Sequence, residues 1–216
     1  MKQIDIPYSV EISKDAVLGE VSTFLDTLDF KNIDTQSWPE YTYKPAISFT
    51  MAHCGDCIFI KFNVLEKFIQ ANYRQNNEPV SNDSCVEFFI ALDNGNDYYN
   101  FEFNCIGTCK AGFGTKNRQD RDYLPDEIID QINRQAVIRT GNQYSDGLIA
   151  WELTVAIPVE VFCFNKIPSF KGLKGRANFY KCGDHLPEPH FMVWNEVRAA
   201  KPDFHLPEFF GKIHFL

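Results

Sequence analysis

Two strongly alternating runs flank the tract Asp93-Asn94-Gly95-Asn96-Asp97, and no other stretch restricts the fold as much. Val86, Phe88, Ile90 and Leu92 share one parity while Glu87 lies on the other; beyond the turn tract, Phe101, Phe103 and Cys105 oppose Asn100, Glu102 and Asn104. Period-two alternation on both sides of a turn signal predicts a β-hairpin with one apolar and one polar face. A one-residue slip would send a whole apolar set into water, so two registers survive. Leu92 opposite Asp97 sets Glu87 against Glu102, whereas a longer loop sets Glu87 against Asn104 and brings Glu102 near Phe89. Either places carboxylates together on the face away from the core. Like charges opposed on a sheet are destabilising, so that face calls for a Lys, an Arg, a cation or a hydroxyl-rich ligand.

The 216 residues suit one domain, residues 1–216, with residues 1–37 as an N-terminal extension packed on it. A net charge of -8 argues against nucleic acid or an anionic membrane as partner, because both need a positive field. No run approaches the ~20 apolar residues of a membrane span, and the opening MKQIDIPYSVEIS lacks the apolar segment of a secretory signal. Seven cysteines, an odd number, cannot all pair, which favours a reducing, cytoplasmic setting. Oligomeric state is not legible.

Aromatic residues make up 15% of the chain and sit inside alternating runs. Residues 47–49 and 58–64 read as strand, and residues 148–158 do so most cleanly, with Trp151, Leu153, Val155 and Ile157 opposing Glu152, Thr154 and Ala156. Trp151 is thereby assigned to the core. Residues 175–182, 189–194 and 209–215 supply further strands between Pro and Gly punctuation. Residues 17–29 fit a short amphipathic helix or an edge strand, residues 109–124 read as a long surface loop, and residues 125–134 as a helical turn or two. Seven or eight strands without β-then-helix alternation predict an all-β, antiparallel β-sandwich of immunoglobulin or jelly-roll type, with long loops and one or two short helices.

Several chemistries compete. Cys54-x-x-Cys57 and Cys105-x3-Cys109 have metal-like spacing and together offer four thiolates to zinc; the alternative is four small buried hydrophobes. Glu87 and Glu102 on neighbouring strands fit the ~5 Å carboxylate separation of a retaining glycosidase; the alternative is a solvated or cation-bridged pair. Nothing resembling a Gly-x-Ser-x-Gly elbow or a His-Glu-x-x-His run is present. In the C-terminal third, Asn178 and Tyr180 oppose Phe179, and His190 and Trp194 oppose Phe191 and Val193. If the apolar parities face the core, Asn178, Tyr180, His190 and Trp194 join the carboxylate face. An exposed Trp beside amides and carboxylates suits a sugar, whose C–H face packs on a flat ring while directed polar groups hold its hydroxyls.

The chain resembles the family 9 carbohydrate-binding modules, specifically the stand-alone family-9-like proteins of bacteria. The resemblance rests on Asp83-Ser84-Cys85-Val86-Glu87-Phe88-Phe89, Tyr99-Asn100-Phe101-Glu102-Phe103-Asn104, Arg176-Ala177-Asn178-Phe179-Tyr180-Lys181-Cys182-Gly183-Asp184, Pro189-His190-Phe191 with Trp194, and Pro202-Asp203-Phe204-His205 with Pro207-Glu208 and Phe210-Gly211. It implies a non-catalytic β-sandwich that binds a mono- or oligosaccharide, in the better-known modules by clamping glucan ends between aromatic rings, with structural calcium. Trp194 matches a position for one ring, Tyr180 or Tyr123 stand in for the second, and Trp38 matches an early packing Trp. Glu87, Asn104 and the loop residues Arg118 or Arg121 match polar partners. No cofactor is expected unless calcium sits at Asp93, Asn94, Asn96 and Asp97. The haem-binding branch of the superfamily uses a Met and a His, for which Met51 or Met192 with His190 are available.

Overall fold

The structure, a computed structural model, describes residues 1–92, 95–140 and 147–216. The larger sheet runs in the order β1 (Gln3–Ile6), β13 (Gly211–Phe215), β11 (Lys174–Cys182), β5 (Cys85–Ala91), β6 (Tyr98–Asn104), β7 (Cys109–Gly114) and β8 (Asp122–Tyr123). β12 (Phe191–Val193) adds to the far end of β11, beyond the part that β13 occupies. The smaller sheet is β2 (Lys31–Asn32), β3 (Ala46–His53), β4 (Cys57–Glu66), β10 (Ile149–Pro158) and β9 (Asn133–Arg139). Only the β1–β13 pairing of the described strands is parallel. The architecture is the antiparallel sandwich that the alternation predicts.

The inter-sheet core is aromatic. Phe88, Phe101 and Phe179 of the larger sheet meet Phe49, Phe62 and Trp151 of the smaller one, with Phe49 stacked on Phe179 at a centroid distance of 3.7 Å. Each such ring removes ~150–250 Å² from water, so interlocking them fixes how the sheets face each other. The hairpin β5–β6 takes the first of the two registers, with Glu87 opposite Glu102. The turn residues Asp93 and Asn94 fall outside the described residues.

Both faces of the larger sheet are covered. Its outer face carries a second apolar cluster in which Cys85, Phe89, Tyr98, Tyr180 and Cys182 lie under Trp38, Val80, Val197, Phe204 and Phe210. These covering residues belong to connections, chiefly those before β3, before β5 and before β13. All seven residues of β5 and all seven of β6 are buried as a result.

Two sequence expectations are corrected here. Residues 1–37 are no mere extension, because they supply an edge strand to the larger sheet through β1 and one to the smaller through β2. Residues 109–124 are not one long loop: β7 pairs with β6 along six residues, its alternation masked by Gly112 and Gly114, and β8 closes the edge. The helical turn expected within residues 125–134 is present as α2 (Asp126–Ile129), and β9 follows it as a strand that the alternation did not reveal. The open choice at residues 17–29 resolves as helix α1 (Leu18–Leu25), whose Val21 and Leu25, one turn apart, pack on Phe59, Ala52 and Cys57 of the smaller sheet.

A candidate ligand pocket on the outer face of the larger sheet

Strand register sets four side chains in one lateral row. Lys110 of β7 lies opposite Glu102, Glu102 opposite Glu87, and Glu87 opposite Tyr180 of β11. In the next row Cys85 lies opposite Cys182, which in turn lies opposite Phe191. Glu87, Glu102, Lys110, Cys182 and Phe191 line a pocket whose walls add Asp184, Asp203, Phe204, His205 and Arg118. Its cavity volume is about 100 Å³, below the ~300–1,000 Å³ of sites that enclose drug-sized ligands.

The floor is acidic and nearly dry. Glu87 and Glu102 are each 3% exposed. Glu102 accepts hydrogen bonds from Asn100 Nδ2 at 3.0 Å and Lys110 Nζ at 3.5 Å. Glu87 accepts from the thiols of Cys182 at 3.2 Å and Cys85 at 3.9 Å. Lys110 is the basic neighbour that two facing carboxylates require, but it reaches Glu102 and not Glu87. Burial, followed by the facing Glu102, therefore pushes the Glu87 carboxyl well above its ordinary range. The same two influences in the same order bring Asp184 to about 6, and burial takes the Cys85 thiol to about 12. At the mouth Arg118 pairs with Asp203 at 3.1 Å, with its side chain 67% exposed.

Aromatic rings form one wall. Phe204 stacks on Tyr180 at 4.2 Å and 11°, and Phe191 packs edge-on against Trp38 and Tyr41. Tyr123, on β8, is 61% exposed and has Lys110 Nζ 5.9 Å from its ring centroid.

Of the residues singled out from sequence, Glu87, Glu102 and Arg118 line this pocket. The others are placed elsewhere, for identifiable reasons. Trp194 is not an exposed platform: 3% exposed, it lies edge-on to Phe49 at 6.1 Å and Phe179 at 5.6 Å in the inter-sheet core. Phe191 and Val193, taken as core-facing, point outward because the outer face is itself apolar, and this inverts the assigned parity of Trp194. Asn178 and Tyr180 do share the outer face with Glu87 but are sealed beneath it. Asn178 holds Asn195 through N–H and C=O at 2.9 Å each, and the Tyr180 hydroxyl donates to the Phe204 carbonyl at 3.1 Å. Asn104 ties Asp83 and the Tyr73 carbonyl to the end of β6. Arg121 donates to the carbonyls of Gly114, Thr115 and Tyr98 and lies 4.1 Å over the Tyr98 ring, so it anchors the β7–β8 turn.

His190 belongs to a fully buried charge cluster. Lys181 Nζ lies 2.9 Å from Glu66 Oε2 and 2.8 Å from His190 Nε2, Trp151 Nε1 donates to Glu66 Oε1 at 2.6 Å, and His190 Nδ1 faces the Glu188 carbonyl at 3.0 Å. Burial and then the Lys181 ammonium lower the His190 pKa to about 3. The ring is thus neutral, accepting from Lys181 and donating to Glu188. With both nitrogens engaged, and Met51 and Met192 packed in the core, the residues do not fit an axial haem pair. The four-thiolate zinc arrangement does not assemble either, since Cys57 packs with α1 on the outside of the smaller sheet while Cys105 and Cys109 lie between the sheets. For calcium, Asp93 and Asn94 lie outside the described residues, and Asn96 and Asp97 are exposed.

The profile of carbohydrate-binding family 9 matches residues 20–215. The chain belongs to this family. This family 9 chain is similar, at 32% identity and a TM-score of 0.91, to a candidate carbohydrate-binding protein of Bacteroides uniformis ATCC 8492, covering 100% of this chain and 99% of that one. It shares its fold with a family 9 carbohydrate-binding module of Caldicellulosiruptor kristjanssonii, seen in complex with glucose (10% identity, TM-score 0.57, coverage 100% and 96%) and with cellotriose (12%, 0.59, 99% and 93%). No curated protein matches the chain.

The pocket's acid–base balance gives a pH signature. Asp184 has an ordinary pKa of 3.8 and about 6 in the folded family 9 domain. The native state therefore holds a proton that the unfolded chain releases, and stability falls as pH rises through that window. Asp184→Asn removes this loss. The melting temperature of the variant is expected to pull ahead of the native protein's between pH ~4 and ~6 and to stay ahead above it. Thermal melts in a pH series measure the difference, and a constant offset across the series would contradict the assignment.

Proposed function

We propose that the outer-face pocket binds one unit of a neutral saccharide without cleaving it. The observation that carries this reading is the buried, facing pair Glu87 and Glu102 at the floor of an open pocket whose wall is aromatic. Sugar hydroxyls donate to the carboxylate oxygens of Glu87, Glu102 and Asp184, Lys110 and Arg118 donate to ring or hydroxyl oxygens, and Phe191 and Phe204 meet the C–H face. Family membership and the glucose- and cellotriose-bound relatives support the ligand class. A protein-specific reason also opposes cleavage. General acid and nucleophile must both reach the bond, but Glu87 is held by the Cys182 thiol and Glu102 by Asn100 and Lys110.

Calorimetric titration with mono- and disaccharides, glucose and cellotriose included, is expected to give saturable binding. A hydrogen bond to a charged group contributes ~1.5–3 kcal/mol, so Glu102→Gln should weaken affinity roughly tenfold or more. Phe204→Ala should weaken it too, and the exposed Arg118→Ala should do so without altering the melting temperature. Heat-free titrations across the whole panel would remove the reading. Turnover of an activated aryl glycoside that disappears in Glu87→Gln would replace it with the hydrolase alternative.

A further inference from the structure

One corner of the pocket adds two thiols to the Glu87 carboxylate. Cys85 and Cys182 are register partners on β5 and β11, and their sulfur atoms and a Glu87 oxygen lie within 4.8 Å of one another, all three residues buried. Glu87 Oε1 is 3.2 Å from Cys182 Sγ and 3.9 Å from Cys85 Sγ. In a tetrahedral zinc site with Zn–S near 2.3 Å and Zn–O near 2.0 Å, sulfur and oxygen ligands stand about 3.5 Å apart. The observed separations bracket that value. Asp184, two residues beyond Cys182, lines the same pocket, and its Oδ1 is buried without a hydrogen-bond partner.

The charge balance points the same way. Glu87, Glu102 and Asp184 converge here, while the nearest ammonium, Lys110, is engaged with Glu102. Among the described residues, Glu87 hydrogen-bonds only with thiols. A buried carboxylate next to other carboxylates is costly unless a cation meets it, and two thiols select a soft or borderline cation over magnesium or calcium.

We propose that Cys85, Glu87 and Cys182 form a three-ligand binding site for a thiophilic divalent cation of the zinc type, with the fourth position left to solvent or a ligand from the pocket. The site is built from a sheet register and not from a Cys-x-x-Cys loop. It shares Glu87 with the proposed sugar site, and a metal titration run without sugar tests it separately. The cation would stabilise the junction of β5 and β11 beneath the pocket, supplying the positive charge that Glu87 lacks.

The test uses the full chain, stripped with chelator under reducing conditions and titrated with Co²⁺ and Zn²⁺. The expected result is one equivalent of Co²⁺ giving thiolate-to-cobalt charge transfer and the visible bands of tetrahedral coordination, displaced by Zn²⁺ and unaffected by excess Mg²⁺. Cys182→Ser should abolish the charge-transfer signal or weaken affinity by at least tenfold. Glu87→Gln, which retains the side-chain shape, should weaken it while keeping both thiols, so the proposal stays testable if the serine variant fails to fold. Cys54→Ser/Cys163→Ser, which removes the two cysteines outside the buried set, should change nothing. The proposal is overturned if no charge-transfer band appears, if the signal survives in Cys182→Ser and Glu87→Gln, if it is lost with Cys54 and Cys163, or if Cys85 and Cys182 are found joined as a disulfide in the chain as purified.

Discussion

Lys181→Met is expected to lower the stability of this domain by about 3–5 kcal/mol, because it leaves the Glu66 carboxylate uncompensated in the interior. Lys181, Glu66 and His190 are all fully buried; among the described residues, Glu66 otherwise has the Trp151 indole N–H as a donor, with the neutral His190 ring 3.7 Å away. For a chain of this size the loss amounts to roughly 10 °C or more in melting temperature. The double variant Glu66→Gln/Lys181→Met removes both charges while retaining an acceptor for Trp151, and should recover most of the loss. Urea denaturation of the single and double variants measures both. Equal destabilisation by the two would show that shape, not charge pairing, holds this part of the core.

Trp194→Ala is expected to cost a similar amount, about 3–5 kcal/mol, by opening a cavity between the sheets. The indole packs edge-on against the stacked pair Phe49 and Phe179, and it lies so close to Gly211 that a Cβ there would collide with it. The affinity of the folded variant for a sugar should remain within a few-fold of the native value, since the ring lies on the opposite side of the sheet from the pocket. Denaturation and titration on the same preparation separate the two effects. Unchanged stability with abolished binding would return Trp194 to the role of a sugar platform, and would contradict its placement in the core.

How far the residues alone lead differs between strands. In β5 and β6 the alternation was strong enough to reduce the register to two choices, and the observed one sets Glu87 against Glu102. β10 was legible from end to end because Glu152 and its neighbours mark a half-exposed face. β7 was not, since Gly112 and Gly114 erase the apolar contrast while their backbones still pair with β6. β12 was found, but its orientation was misjudged. Parity arguments assume one wet face, and here Phe191 and Val193 serve an outer cluster while Trp194 serves the inner core.

The pocket shows the same division. Glu87 and Glu102 were identifiable because two facing carboxylates demand a partner, and Arg118 through the family resemblance, which offered it beside Arg121. Asp184, Asp203, Phe204 and His205 lay within motifs that the family resemblance rests on, yet carried no periodic signal, since they sit on connections. Cys85 and Cys182 were invisible as a pair because they are brought together by the pairing of β5 with β11, not by spacing along the chain.

Local alternation and turn chemistry are short-range properties, and they were sufficient to specify strands, a sandwich and a hairpin with a carboxylate-bearing face. Which face is sealed, which ring is core and which acidic groups share a pocket depend on long connections folding back over the larger sheet. Those contacts join residues far apart in sequence, such as Tyr180 with Phe204 and Trp38 with Ala199. Burial is a property of everything packed on a residue, so only the assembled tertiary structure decides it.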